Sequence, residues 1–297
     1  MYFSSLQPFR REALVIDWAG LHSTKGLRVP TAEPMTRQKA ALIVAHPGHE
    51  LCIYRWLELA KPVVFVLTDG SGRTGHSRLD STSAVLSSAG ARPGLVYGCF
   101  TDAQLYGALL AGDVSVFART LRAIAGALVE AGVDYVVGDA IEGFSPSHDI
   151  CRFLTNAVVS LLHNERGSEL GNFDFLLDGC PGICEERLRE AAIRVRLDDD
   201  DLRRKLAAAD AYPELRGETA RALERFGPEA FRTEYLRPVV DRTEGLEGLE
   251  HEPPAYERYG EQRVGNGHYG KVIRYRSHVR PLVKELWRET GLAPASA

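Results

Sequence analysis

The sequence predicts an α/β protein: a central, mostly parallel sheet with helices on both faces, followed by a C-terminal region of helices and loops. Two observations carry that reading. Short apolar runs such as Ala41-Leu-Ile-Val-Ala45 and Val63-Val-Phe-Val-Leu67 have no polar face, as in strands covered on both sides. They alternate with helical segments of about 10–15 residues, the pattern of βα units in a parallel sheet.

Residues 1–37 mix aromatic, basic and turn residues without periodicity. They are read as an N-terminal extension able to pack on the main domain through Phe3, Leu6, Phe9, Leu14, Ile16 and Trp18. The core is assigned to 38–180. Strand 41–45 stops at His46, because Pro47 cannot donate to a ladder and Gly48 permits a sharp turn. A helix over 49–60 follows, closed by Lys61-Pro62. Then come a strand over 63–67, a polar loop over 68–75, a helix over 77–88 and a strand at 95–97. A helix over 114–131, a strand at 135–137, a helix over 147–163 and a strand over 173–177 complete the core.

Residues 181–297 make up the C-terminal region, expected to cover the active-site edge of the sheet. Residues 185–224 read as short helices broken by Pro213, Gly217, Gly227 and Pro228, with Asp198-Asp-Asp-Asp201 at the positive end of one of them. Residues 243–259 read as loop, 272–275 as strand-like and 280–288 as a last helix.

Bulk composition narrows the function. At 297 residues the chain can bury a full core. Its formal charge of −4 offers no basic excess for nucleic acid or an anionic membrane. No apolar run has the length of a membrane span, and Met1 to Arg11 lacks a long apolar core. Five cysteines, an odd number, read as reduced thiols, so a soluble, cytoplasmic protein is expected. Cys180 and Cys184 have no second pair downstream to complete a structural zinc site.

The chemistry is concentrated where strands end. His46 and His49 lie three residues apart across a strand-to-helix corner, which can aim both imidazoles at one point, where open α/β sheets bind ligands. A catalytic zinc needs a third protein ligand, and His148 repeats the situation after the strand at 135–137. Asp139, just past that strand, is placed to orient a ligand histidine. The ligand set is therefore His46, His49 and His148, with Zn2+ or another divalent transition metal as cofactor.

Ala45-His46-Pro47-Gly48-His49-Glu50 resembles the metal-binding box of the PIG-L/LmbE-like zinc-dependent N-deacetylases, Ala-His-Pro-Asp-Asp-Glu. Thr68-Asp69-Gly70 resembles that family's Thr-Asn/Asp-Gly loop, and Ser145-Pro146-Ser147-His148 its His-Pro-Asp-His segment. The resemblance covers roughly residues 37–163. It implies a Rossmann-like fold, hydrolysis of an acetamide on an amino sugar or related small metabolite, and a substrate-contacting role for Arg78. The substrate is then an N-acetylated sugar or glycoside; a homo-oligomer is compatible with the sequence.

Three positions depart from the family. Its general-base aspartate is replaced by Gly48, its ligand aspartate by His49, and its accessory histidine by Ser145. Three neutral imidazoles leave a metal ion its full charge, which can lower the pKa of a bound water to about 7 and dispense with a strong base. For proton handling the candidates are Glu50, Asp69, Asp149 and His268; Glu50 is also suited to bracing the box and Asp149 to capping its helix. Arg73 joins Arg78 as a residue placed to hold substrate hydroxyls, carboxylate or phosphate.

Two alternatives stay open. A metal protein of this fold could have lost or altered its chemistry with the missing aspartate. Gly70-Ser-Gly72-Arg-Thr-Gly75 also matches the dinucleotide fingerprint, although Asp69 stands where a pyrophosphate would approach. A serine hydrolase is disfavoured, because Gly143-Phe-Ser145-Pro-Ser147 is not a nucleophile elbow.

Overall fold

The computed structural model describes residues 38–291 apart from 73, 168, 243–245, 247, 248, 250 and 251. The expected N-terminal extension therefore lies outside the described residues.

Seven strands form one sheet in the order β3-β2-β1-β4-β5-β7-β6. They are β1 (Ala40–Val44), β2 (Val63–Thr68), β3 (Arg92–Phe100), β4 (Tyr135–Asp139), β5 (Gly171–Phe175), β6 (Ile193–Arg196) and β7 (Thr233–Pro238). The first five run parallel, β7 is antiparallel to β5, and β6 is antiparallel to β7. Every residue of β1, β2 and β4 is buried, which accounts for their unbroken apolar runs.

The strand order reverses direction between β1 and β4. Chain after β1 moves outward to β2 and β3, and chain after β4 moves the other way to β5. A crevice opens at such a switch point, outside the carboxyl ends of the two strands. His46 follows β1 and His148 follows β4, so both reach that crevice.

Alternate residues of β1 feed two separate cores. Ala41 and Ile43 pack with helices α4 (Val114–Ala131), α5 (Pro146–Arg166) and α10 (Arg280–Glu289). Leu42 and Val44 pack on the opposite face with α1 (Tyr54–Ala60), α2 (Leu79–Ala89) and α7 (Asp199–Asp210).

The helix expected over 49–60 is two pieces. His49–Ile53 forms a 3-10 turn and α1 begins only at Tyr54, because Ile53 breaks the helical path at φ −124°. No side chain of its own segment caps α1. Instead Glu234 of β7, 2% exposed, accepts the Arg55 and Trp56 N–H groups at 2.9 and 2.8 Å and pairs with Lys205 Nζ at 2.8 Å. The C-terminal region thus pins the segment that carries the first two histidines.

Four further sequence expectations are corrected. Helix α3 (Asp102–Ala111) was not expected; it opens on a capping box between Thr101 and Gln104. The C-terminal region adds strands as well as helices: Ile193-Arg-Val-Arg196 alternates buried and exposed and, with β7, extends the sheet. Residues 272–275 make no strand; a short π-helix over Tyr275–Val279 runs into α10 instead. Helix α9 (Ala255–Gly265) also begins inside the segment read as loop, and α6 (Glu186–Arg189) and α8 (Arg216–Phe226) are the remaining short helices. Asp198 does cap α7, accepting the Asp201 N–H at 2.8 Å.

Candidate metal centre

The imidazoles of His46, His49 and His148 meet edge to face. Their ring centroids lie 5.4, 5.2 and 4.6 Å apart for the pairs 46–49, 46–148 and 49–148. His46 and His49 keep 15% and 14% of their side chains exposed, so the cluster opens onto the crevice.

Each of the first two rings is held by a carboxylate. His49 Nδ1 donates to Asp139 Oδ1 at 2.9 Å, and the other oxygen of Asp139 accepts the Ala45 N–H at 2.8 Å. His46 Nδ1 donates to Thr68 Oγ1 at 2.7 Å and lies 3.1 Å from Asp102 Oδ1. In both rings Nε2 is left as the lone-pair nitrogen. His148 Nδ1 is buried without any hydrogen-bond partner. As the side chains stand, no three His, Cys, Asp or Glu residues among those described converge closely enough to hold an ion.

Burial pushes the His46 imidazole below its usual pKa against the pull of Asp102, and pushes His148 well below with the neighbouring imidazoles adding to it. These two rings are therefore neutral at pH 7. Burial opposes the charge of Asp102, yet the hydrogen bond and charge of His46, the Thr68 hydroxyl and the Gly72 N–H hold its carboxyl well below the usual range.

Asp102 escaped sequence reading because its helix did. Thr101-Asp-Ala-Gln104, a capping-box pattern after a strand, is the signal that marks it. Tyr106, one turn further along α3, was missed as well. Its hydroxyl lies among Ser145, Ser147 and Asp102, its ring lies 6.4 Å from that of Tyr269, and burial raises its pKa.

Among the proton-handling candidates, Glu50 is fully buried and accepts the Gly48 N–H at 2.8 Å, bracing the box. Asp69 accepts the Ser71 N–H at 2.9 Å within its own loop. Asp149 is buried beside His148; one oxygen accepts the Glu142 and Gly143 N–H groups at 3.2 Å, and the other has no partner. Burial raises its pKa to about 7. His268 is exposed in the turn after α9, and its neighbour Tyr269 is the residue that reaches Tyr106.

Arg78 donates through Nε to the Gly70 carbonyl at 2.6 Å, and its charge is felt at His46, so it stands beside the crevice. Arg73 lies outside the described residues. The glycine loop does not form a phosphate cradle: the Ser71 N–H is spent on Asp69, and the Gly72 N–H on Asp102 at 2.5 Å. An anion there would face two carboxylates.

No protein-family model matches the chain, and no curated protein is significantly similar to it. Among solved structures it is similar to a deacetylase triple mutant from the teicoplanin biosynthetic pathway. That likeness has a TM-score of 0.49 and 15% identity, over 67% of this chain and 97% of the other. A second likeness is to the A40926 pseudoaglycone deacetylase, with a TM-score of 0.46 and 18% identity over 68% and 97% of the two chains.

Position 48 leaves no free space for a side chain. Gly48 has φ +104°, and a Cβ there would overlap Leu215 Cδ1 from the connection between α7 and α8. The neighbouring Tyr212, 1% exposed, anchors that connection by donating to the Arg78 carbonyl at 3.2 Å. Gly48→Asp should therefore lower stability by about 1–3 kcal/mol from overpacking and strain, and Leu215→Ala should recover part of the loss. Urea unfolding of the two variants checks this; a Gly48→Asp protein as stable as wild type contradicts it.

Glu142 clasps the loop that leads to His148 onto the loop after β5, accepting the Leu177 and Asp178 N–H groups at 2.9 and 3.1 Å. Burial raises its pKa from 4.5 to about 7, against those two hydrogen bonds. A carboxyl raised on folding contributes stability that is fully present below the unfolded pKa of 4.5 and is lost as pH rises through about 7. Glu142→Gln should accordingly gain stability relative to wild type between pH 4.5 and pH 7.5 in paired urea titrations. A difference between the two proteins that stays constant with pH contradicts the shift.

Proposed function

We propose that the chain is a metal-dependent hydrolase that removes an N-acyl group, in the first instance acetyl, from an amino sugar or a related small metabolite. The observation that carries this reading is the cluster of three imidazoles at the switch point, two of them oriented by carboxylates.

The donor set suits zinc. Bonds of about 2.0–2.1 Å in a tetrahedral set put the centroids of three imidazoles about 5 Å apart, close to the spacing of these rings. Two ring nitrogens face carboxylates, the arrangement that fixes ligand histidines, and the orphaned nitrogen of His148 is a buried polar atom that an ion would satisfy. When bound, the ion supplies a Lewis acid that polarises an amide carbonyl and activates water.

The chain's own groups do the rest. Asp139 keeps the Nδ1 hydrogen of His49 in place, and Thr68 beside the Asp102 carboxylate keeps that of His46, which aims Nε2 of each ring. Arg78 supplies a cation for a carbonyl or acidic group of the substrate, and Phe144, with its ring centroid 6.3 Å from that of His148, adds an apolar wall. No carboxylate occupies the place of Gly48, where Leu215 packs instead. The resemblance of the 45–50 box to N-deacetylases supplies the acetamide substrate.

A metal protein without hydrolysis is the second reading, favoured by that same packing of Leu215 against Gly48. Turnover separates the two. Zinc-reconstituted protein, incubated with a panel of N-acetylated amino sugars and glycosides, should release acetate, and His148→Ala should lower the rate at least 100-fold. Bound zinc with no acetate released from any member of the panel would favour the second reading over the first.

A further inference from the structure

Ser147 Oγ lies 2.7 Å from Nε2 of His46, the nitrogen that the proposed ion would take. The direction of that hydrogen bond is fixed by its neighbours. His46 Nδ1 lies 2.7 Å from Thr68 Oγ1 and 3.1 Å from Asp102 Oδ1, and an ionised carboxylate can only accept. Nδ1 therefore carries the ring hydrogen, Nε2 holds the lone pair, and Ser147 donates to it. A second acceptor, Ser145 Oγ, lies 2.7 Å from Ser147 Oγ.

We infer that Ser147 is a hydroxyl latch on the metal site: it caps the lone pair of His46 until an ion takes that nitrogen, and then turns onto Ser145. The inference rests on the metal reading above and adds a residue outside the ligand set that controls entry to it.

The spacing of Ser147, His46 and Asp102 is also that of a nucleophile, its base and the group that orients the base. Burial excludes that use. Ser147 has no exposed surface, so an acyl carbon cannot reach its oxygen. What remains is control of the ring. A buried imidazole nitrogen without a partner is costly, and the cluster already holds one at His148. The latch spares His46 the same cost.

Releasing one buried hydrogen bond weakens metal binding by about three- to tenfold. An ion with a strong preference for imidazole overcomes that, whereas oxygen-seeking cations gain too little to open the latch.

The test is zinc affinity, measured by competition with a chromophoric chelator, for wild type, Ser147→Ala, Ser145→Ala and His46→Ala, each first checked for metal-free thermal unfolding. Ser147→Ala should bind zinc about three- to tenfold more tightly. Ser145→Ala, made in a Tyr106→Phe background because the Tyr106 hydroxyl also lies within reach of Ser147, should bind more weakly than that background by a similar factor, the released hydroxyl of Ser147 then having no acceptor. Opposite effects from two neighbouring serines are not what general loosening of the loop produces. The Ser145 side chain makes no capping bond to helix α5, so that variant carries the test alone should Ser147→Ala not fold. Wild type that binds zinc while Ser147→Ala binds equally or more weakly overturns the latch and leaves the metal site standing. Undiminished binding by His46→Ala overturns it too. Failure of wild type to bind zinc overturns the metal reading and the latch together.

Discussion

The buried carboxylate of Asp139 is the constraint on which the candidate site depends. At the end of β4 it accepts the Ala45 N–H just past β1 with one oxygen and the His49 ring with the other, so it joins the two strands of the switch point and aims an imidazole in one stroke. Its own backbone is fixed in turn: Arg152, 1% exposed, donates to the Asp139 carbonyl at 2.6 Å and to the Phe173 carbonyl at 2.9 Å. Gly138 lets this happen, since a Cβ there would meet the Ile43 carbonyl and the Arg152 guanidinium. Unpairing a carboxylate held this way would leave a buried charge, a loss of several kcal/mol. The sheet is therefore pulled together at the point where its strands splay to admit a ligand.

Around that constraint, side chains from distant parts of the chain close in on the crevice. A mixed set of imidazole and carboxylate ligands cancels part of a metal's charge, whereas three imidazoles leave it whole. Asp139 and Asp102 stand behind the rings of His49 and His46, outside the proposed ligand set. The space that an aspartate at position 48 would need is filled by Leu215, held in place by Tyr212 on the α2 side of the crevice. The C-terminal region is thus part of the site. It plugs one wall, and through Glu234 and Lys205 it caps the helix that follows the histidine box.

Much of this was legible in the sequence because it follows from local pattern. Unbroken apolar runs reported doubly covered strands, and a histidine after each of two such runs placed three imidazoles at one edge of the sheet. What was not legible depends on distant partners. Ile193-Arg-Val-Arg196 is too short to declare itself without β7 beside it, and Val272 to Tyr275, although it opens on two β-branched residues, runs into a helical turn at Tyr275. Asp102 follows a strand read as ending three residues early, so the capping box that positions it passed unnoticed. Ser147 stood in the sequence only as part of the segment Ser145-Pro-Ser-His148; its donation to His46 spans 101 positions and appears in no local motif.

The measurement that bears most directly on this account is X-ray absorption at the zinc edge, on protein reconstituted with one equivalent of zinc and freed of excess. The account predicts one tightly held zinc per chain, with a shell of three imidazole nitrogens at about 2.0–2.1 Å and one further light atom. The triple alanine variant of His46, His49 and His148 should lose that ion. Zinc retained by the triple variant, a sulfur-containing shell, or no tightly held zinc in the wild type would contradict it.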